Sequence, residues 1–327
     1  MFLSQAIRAS LSAGIALAGI TSAALAQTPA YPNKPITLIV PYTSGTTADS
    51  LARLLGVKLS ERWGVGVVTD NRAGASGIIG TEAAAKALPN GYTFMFTATA
   101  HGTVPALKSK LPFDPIQSFT PVILLGTSAM GVVVSPKLAA TTFKEFLDLA
   151  RAQPGKLDYA TPGAGGPQHL AMELLLQETG TNLVHVPYKG SSGAVTDVIG
   201  GHVQASIVSL QTSSNFINSG QLKMLAVMSD ARSPAFPSVP TLKELGHANL
   251  VVETWYGVMA PAGTPPEIVA KLNTELNQLL QLPEIRDAMA KQGVAAAGGT
   301  PERLRDVVAK EITRWTSVVT TAKIKTD

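Results

Sequence analysis

The sequence reads as an α/β protein of two lobes, and three observations predict it. Short apolar runs of strand type alternate with helical patterns almost from end to end, the rhythm of a largely parallel sheet with helices on both faces. The 327 residues, 45% hydrophobic and 15% charged, suffice for two domains of about 100 to 200 residues each with proper cores. Two strand-to-helix junctions of similar design, at 41–50 and 161–169, fall in different halves of the chain.

The elements follow in order. Residues 1–26 carry one charge, Arg8, then the apolar run LSAGIALAGI and the small-x-small ending Ala24, Leu25, Ala26. That is the pattern of a cleaved secretory leader, with Gln27 as the mature start. A bilayer span needs about 20 apolar residues, and this run is broken by Ser12, Gly14, Thr21 and Ser22. ITLIV at 36–40 reads as a strand, and Leu51, Leu54, Leu55 and Leu59 fall at helical spacing after it. VGVVTD (65–70) and YTFMFTAT (92–99) are further strands on either side of a helix at 77–88. The alternation continues through VVVS, FKEFLDLARAQ, LDYAT, HLAMELLLQETG, LVHVPY, AVTDVIGG, VQASIVSL and LKMLAVMS. Past Val251 one more strand, 253–263, precedes three helices, with Pro265, Pro266, Pro283 and Pro301 where a first helical turn tolerates proline.

Composition excludes several classes. There is no cysteine, so neither disulfides nor a lipoprotein anchor is available, and stability must come from the core. The formal net charge of +4 falls by one when Arg8 leaves with the leader, and the basic residues are scattered. Nucleic-acid binders cluster theirs on one face, so no nucleic-acid partner is expected.

In an open α/β sheet, ligands bind where strands turn into helices that present free backbone N–H groups. PYTSGTTADS (41–50) is the first such junction. It has neither the lysine of a phosphate loop nor GxGxxG. What it offers is Thr43, Ser44, Thr46 and Thr47 around Gly45 at the positive end of a helix, which suits an anion such as a carboxylate. A helix cap by Thr46, Thr47 or Asp49 explains the same residues equally well. The second junction, LDYATPGAGGPQHLAMELLL, repeats the design with Thr161, Gly163, Gly165 and Gly166 before a helix opening at 167–169. Paired junctions suggest two lobes facing one cleft. NRAGASGIIG (71–80) enters a helix and offers Ser76, although a plain turn is the favoured reading. TATAHG and PYKG end strands on the cleft side, the latter with Tyr188.

Catalytic patterns are missing. GxSxG is absent, since GASGI and GSSGA lack the final glycine, and the histidines at 101, 169, 185, 202 and 247 form no HExxH. His169 reads as a hydrogen-bonding residue at a helix start. No turnover, cofactor or metal is expected.

YPNKPITLIVPY, DNRAGASGIIG, LPNGYTFMF, LPFDPIQSFTPV, YATPGAGGPQHLA, VHVPYKG, SVPTLKELG and WYGVMAPAGTPPEIVAKLN, in that order, cover nearly all of the mature chain. Together they resemble the substrate-binding proteins of tripartite tricarboxylate transporters, the Bug family. The resemblance implies a monomeric, two-lobed periplasmic receptor of type II-like fold, with two strands crossing between the lobes near 120–134 and 250–260. Lobe one would then be 27–127 plus 253–327, and lobe two 128–252. Such a receptor closes on a small organic carboxylate, dicarboxylate or aromatic, and passes it to membrane permease subunits. Signalling to a membrane sensor is the alternative, and a secreted α/β hydrolase a weaker one.

By the same resemblance, the ligand's carboxylate sits between the two junction loops, partly through water. That carries a binding role to Tyr42, Thr43, Ser44, Gly45, Thr46 and Thr47, to Thr97, Ala98 and Thr99, and to Thr161, Gly163, Ala164, Gly165, Gly166, Gln168 and His169. The family's first loop resembles PFPPGGxTD, whereas this one reads PYTSGTTAD; Asp49 matches the pattern's aspartate and, being negative, is expected to orient the loop. Ser128, Met130, Tyr188, Ser209 and Gln211 are expected at the far end. No arginine lies in these loops, so recognition rests on neutral donors.

Overall fold

A computed structural model describes residues 31–324, so the leader lies outside the described residues. The compact unit begins at Lys34. Its first sheet contains β1 (Ile36–Val40), β2 (Val67–Asn71), β3 (Thr93–Ala98), the first part of β4 (Phe119–Val134), β9 (Glu253–Pro261) and β10 (Ala295–Ala296). The second contains the last part of β4 with β5 (Asp158–Thr161), β6 (Val184–Pro187), β7 (Ala205–Ser209) and β8 (Lys223–Val227). Each sheet is the floor of one lobe. The sixteen-residue β4 runs through both, and the chain returns at β9, where Glu253 pairs with Ala129 of β4.

The largely parallel sheet expected from strand-helix alternation holds only away from these crossings. β1 is parallel to β2 and β3, and β5 to β6 and β7, whereas every ladder of β4 and the β3–β9 ladder are antiparallel. A strand that leaves a lobe and one that comes back must run in opposite directions side by side, so the connection between lobes enforces the mixture.

Helix starts are written in the sequence. Thr46 caps α1 (Thr47–Trp63), and Thr142 with Glu145 forms a capping box on α4 (Phe143–Ala152). Pro167, Pro266, Pro283 and Pro301 open α5 (Pro167–Thr179), α8 (Pro266–Leu279), α9 (Pro283–Lys291) and α10 (Pro301–Thr321). Gly74 to Gly77 lead into α2 (Ile78–Ala85), and Gly190 into α6 (Ser191–Gly200). Two helices were not foreseen. α3 (Ala100–Leu107) contains Pro105 and Gly102, both poor helix formers, and it is held by packing: a Cβ on Gly102 would lie 2.8 Å from Glu311 Cβ of α10. α7 (Leu210–Asn218) lacks a side-chain cap.

Each sheet has its own apolar core. In the first lobe, Leu51, Leu55, Phe94, Phe96 and Ile123 pack with Leu272 and Leu276 on one face, and Met95, Trp255, Met259, Leu304 and Val308 on the other. In the second, Phe146, Tyr159, Leu170 and Leu175 pack with Trp315, Val318 and Val319. α10 therefore inserts its first half in one core and its last turns in the other.

Candidate functional site

The first junction is built around a buried carboxylate. Gly45 has φ +83°, a conformation that favours glycine, and its N–H donates to Asp49 Oδ2 at 2.9 Å. Asp49 Oδ1 accepts from Asn71 Nδ2 at 2.9 Å and pairs with Arg53 Nε at 2.9 Å. Burial pushes this carboxyl up, but the hydrogen bonds from Arg53, Gly45 and Asn71 outweigh it and hold the pKa below the usual range. Thr46 Oγ1 accepts from Asp49 N at 3.3 Å and donates to Thr43 O at 2.9 Å, so this hydroxyl is committed inside the loop. The cap reading thus holds for Thr46. Ser44 Oγ donates to Asn71 Oδ1 at 3.2 Å.

The second junction is held by a ring stack. Thr161 Oγ1 donates to Gly163 O at 3.1 Å and lies 2.7 Å from His185 Nε2; having given its only proton to Gly163, it accepts from His185. Gly165 N–H donates to His169 Nδ1 at 2.9 Å. The His169 and His185 rings stack with centroids 3.9 Å apart, and Tyr159 stacks on His185 at 4.9 Å.

Two cavities lie where the loops meet. The larger, about 820 Å³, is lined by Tyr42, Thr43, Thr46, Ser76, Ala164, Gly165, Gly166 and His169, by Val104 and Leu107 of α3, and by Lys108, Glu173, His185 and Ile324. The smaller, about 230 Å³, is lined by Thr47, Gln168, Ser191 and Ser209, from the starts of α1, α5, α6 and α7, with Ser128 and Thr254 from the crossing strands and Tyr256 and Gln211. No Asp, Glu, Lys, Arg or His lines it. Four helix N-termini converging on one neutral chamber form a positive field without a formal charge. Each end attracts an anion by about 0.3 to 1 kcal/mol when exposed and up to about 2 when partly buried.

The other expected residues support the loops from behind. Ala98 N–H donates to the Tyr42 hydroxyl at 3.1 Å, Trp255 N–H donates to Thr99 Oγ1 at 2.8 Å, and Thr97 is buried. Ser44, Gly45, Asp49, Thr97, Ala98, Thr99, Thr161, Gly163 and Tyr188 line neither cavity. The Tyr188 hydroxyl donates to Asp197, and Met130 lies within the second core, not at a cleft surface.

Sequence reasoning missed Ser191, Thr254, Tyr256, Lys108 and Glu173. Ser191 follows strand 184–187 and opens a helix, so the junction rule that found Thr47 finds it too. Thr254 and Tyr256 alternate on a crossing strand and share a face by the two-residue period. Lys108 ends a helix that propensity hides.

A family model described as the tripartite tricarboxylate transporter family receptor matches residues 51–324. Protein BugT of Bordetella pertussis is 38% identical over 315 residues, covering 95% of this chain and 96% of that one. The solved structure of R. palustris Rpa4515 with adipate is 36% identical at TM-score 0.74, covering 90% of this chain and 99% of the other. MatC from Rhodopseudomonas palustris, with bound malate, is 28% identical at TM-score 0.71, covering 88% and 100%. Matches of this extent and identity place the two-lobed chain in one group: it belongs to the tripartite tricarboxylate transporter receptor family, whose members are periplasmic solute-binding receptors and not enzymes.

Proposed function

We propose that this protein captures a small organic carboxylate between its lobes, by closure about the crossing strands, and delivers it to the membrane subunits of a tripartite transporter. The observation that carries the reading is the neutral chamber on which α1, α5, α6 and α7 converge. One carboxylate is held there by Thr47, Gln168, Ser191 and Ser209 with bridging water, which is nearly as favourable as direct contact. The ligand's body extends toward the larger cavity with its apolar wall of Val104 and Leu107. Adipate and malate in the two R. palustris proteins support this class of ligand.

The lobes divide at 127/128 and 252/253, with α10 spanning both, and the receptor works as a monomer in the periplasm after loss of residues 1–26. Among the described residues no helix is long and apolar enough to cross a membrane. A thermal-shift panel of adipate, malate, benzoate and citrate tests the reading. A ligand at 100 times its Kd adds about 2.7 kcal/mol, and a melting temperature that none of the four raises contradicts it.

A further inference from the structure

Gly165 has φ +74°, and its N–H donates to His169 Nδ1. Only an unprotonated ring nitrogen accepts an N–H, so the neutral imidazole carries its proton on Nε2. The same glycine abuts α3 of the first lobe: a Cβ on Gly165 would lie 3.2 Å from Leu107 Cδ1. One imidazole lone pair thus fixes a loop that faces the larger cavity and abuts the opposite lobe.

We propose that His169 is a positioning residue for ligand capture: its neutral Nδ1 holds the glycine loop in binding form, and a proton on Nδ1 releases it. The inference rests on the reading of the cleft as a carboxylate site.

The surroundings favour the neutral ring. His169 is 5% exposed, and burial pushes its pKa below the ordinary imidazole value. His185, stacked against it from β6, is pushed down to about 4 by burial and then by the charge His169 would carry, against the pull of Glu173. Glu173 Oε1 lies 3.8 Å from His169 Nε2 and accepts from the Tyr159 hydroxyl of β5; Lys108 lines the same cavity from the end of α3. A proton on Nδ1 would set two donors, the ring and Gly165 N–H, against each other across 2.9 Å.

The test compares the wild-type chain with His169→Ala and His169→Asn. Asparagine places an oxygen near the Nδ1 position and does not titrate. Dissociation constants for the best-bound of adipate, malate, benzoate and citrate are measured from pH 7.5 to 4.5. Ring-nitrogen NMR of the ligand-free wild type gives the tautomer and titration of His169. The expected result is an Nε2–H tautomer at pH 7.5, a roughly fivefold loss of affinity in His169→Ala from one missing hydrogen bond, and its recovery in His169→Asn. As pH falls through the His169 titration, wild type should weaken relative to His169→Asn, by up to about tenfold per pH unit; ligand protonation cancels in that ratio. An Nδ1–H tautomer, full affinity in His169→Ala, or a constant ratio through the titration overturns the inference alone. No binding of any of the four acids to wild type overturns the parent reading as well. If His169→Ala does not fold, the NMR and the asparagine ratio still decide.

Discussion

Asp49→Asn is the sharpest test of how the first loop is held. The aspartate's two oxygens serve different partners: Oδ2 takes Gly45 N–H at 2.9 Å, and Oδ1 takes Asn71 Nδ2 and Arg53 Nε, each at 2.9 Å. Asparagine offers one oxygen and one NH₂, so either orientation sets a donor against Gly45 or against Asn71 and Arg53. Arg53 is half exposed, so that ion pair is worth about 0 to 1 kcal/mol. A buried donor left without an acceptor costs about 1 to 3 kcal/mol. The sum is a destabilisation of about 1 to 4 kcal/mol, or a Tm lower by roughly 2 to 6 °C for a chain of this size. Because the folded carboxyl titrates below its ordinary value, this stability is present above about pH 4 and lost as pH falls through the folded pKa; the variant should lack that acid limb. Urea unfolding at pH 7 measures the difference, and a change under about 0.5 kcal/mol would refute the assignment of Asp49 as the loop's anchor.

Neighbouring threonines should separate by assay. Thr46→Val should cost about 0.5 to 2 kcal/mol of stability through the lost cap, whereas Thr47→Val, which loses a hydrogen bond to Tyr256, should cost no more than about 1.5 kcal/mol and weaken carboxylate binding several-fold by titration calorimetry. Trp315→Ala empties a fully buried site that also bonds Glu311 at 2.5 Å, so about 3 to 5 kcal/mol should be lost in urea unfolding. His101 and His185 are both pushed to about 4, in each case first by burial. Their contribution is present above the ordinary imidazole pKa of about 6.5 and lost as pH falls toward 4, so Tm should already decline between about pH 6.5 and 5, before most carboxylates titrate. A flat Tm there contradicts buried neutral imidazoles.

Much of this was legible in the sequence where local chemistry decides. Thr46, Pro167, Pro266, Pro283 and Pro301 mark helix starts by capping and by proline's fixed φ, and the two glycine-bearing junctions announced a cleft. The sequence left the cap and ligand readings of PYTSGTTAD in balance because both ask for hydroxyls at one helix end. The structure bears out the cap reading at Thr46, whose hydroxyl bonds within the loop although the residue also lines the larger cavity, while Thr47, one position into the helix, lines the smaller one. What stayed hidden depends on contacts between distant segments. α3 forms against α10 despite Pro105, the His169–His185–Tyr159 stack joins three separate elements, and β9 turns antiparallel because it must come back beside β4.

The charge-free lining of the smaller cavity bears on release as much as on capture. An ion pair with a buried lysine or arginine would leave that cation stranded when the ligand departs, and an uncompensated buried charge costs about 3 to 5 kcal/mol. Helix N–H groups and the hydroxyls of Thr47, Ser191 and Ser209 pass to water instead, with bridging bonds that cost at most about 2 kcal/mol of immobilisation each. For the proposed function, binding an anion in one compartment and giving it up at a membrane, a field made of helix ends is therefore an advantage: the attraction would disappear into solvent as the lobes part, and no charged group would have to be rescued.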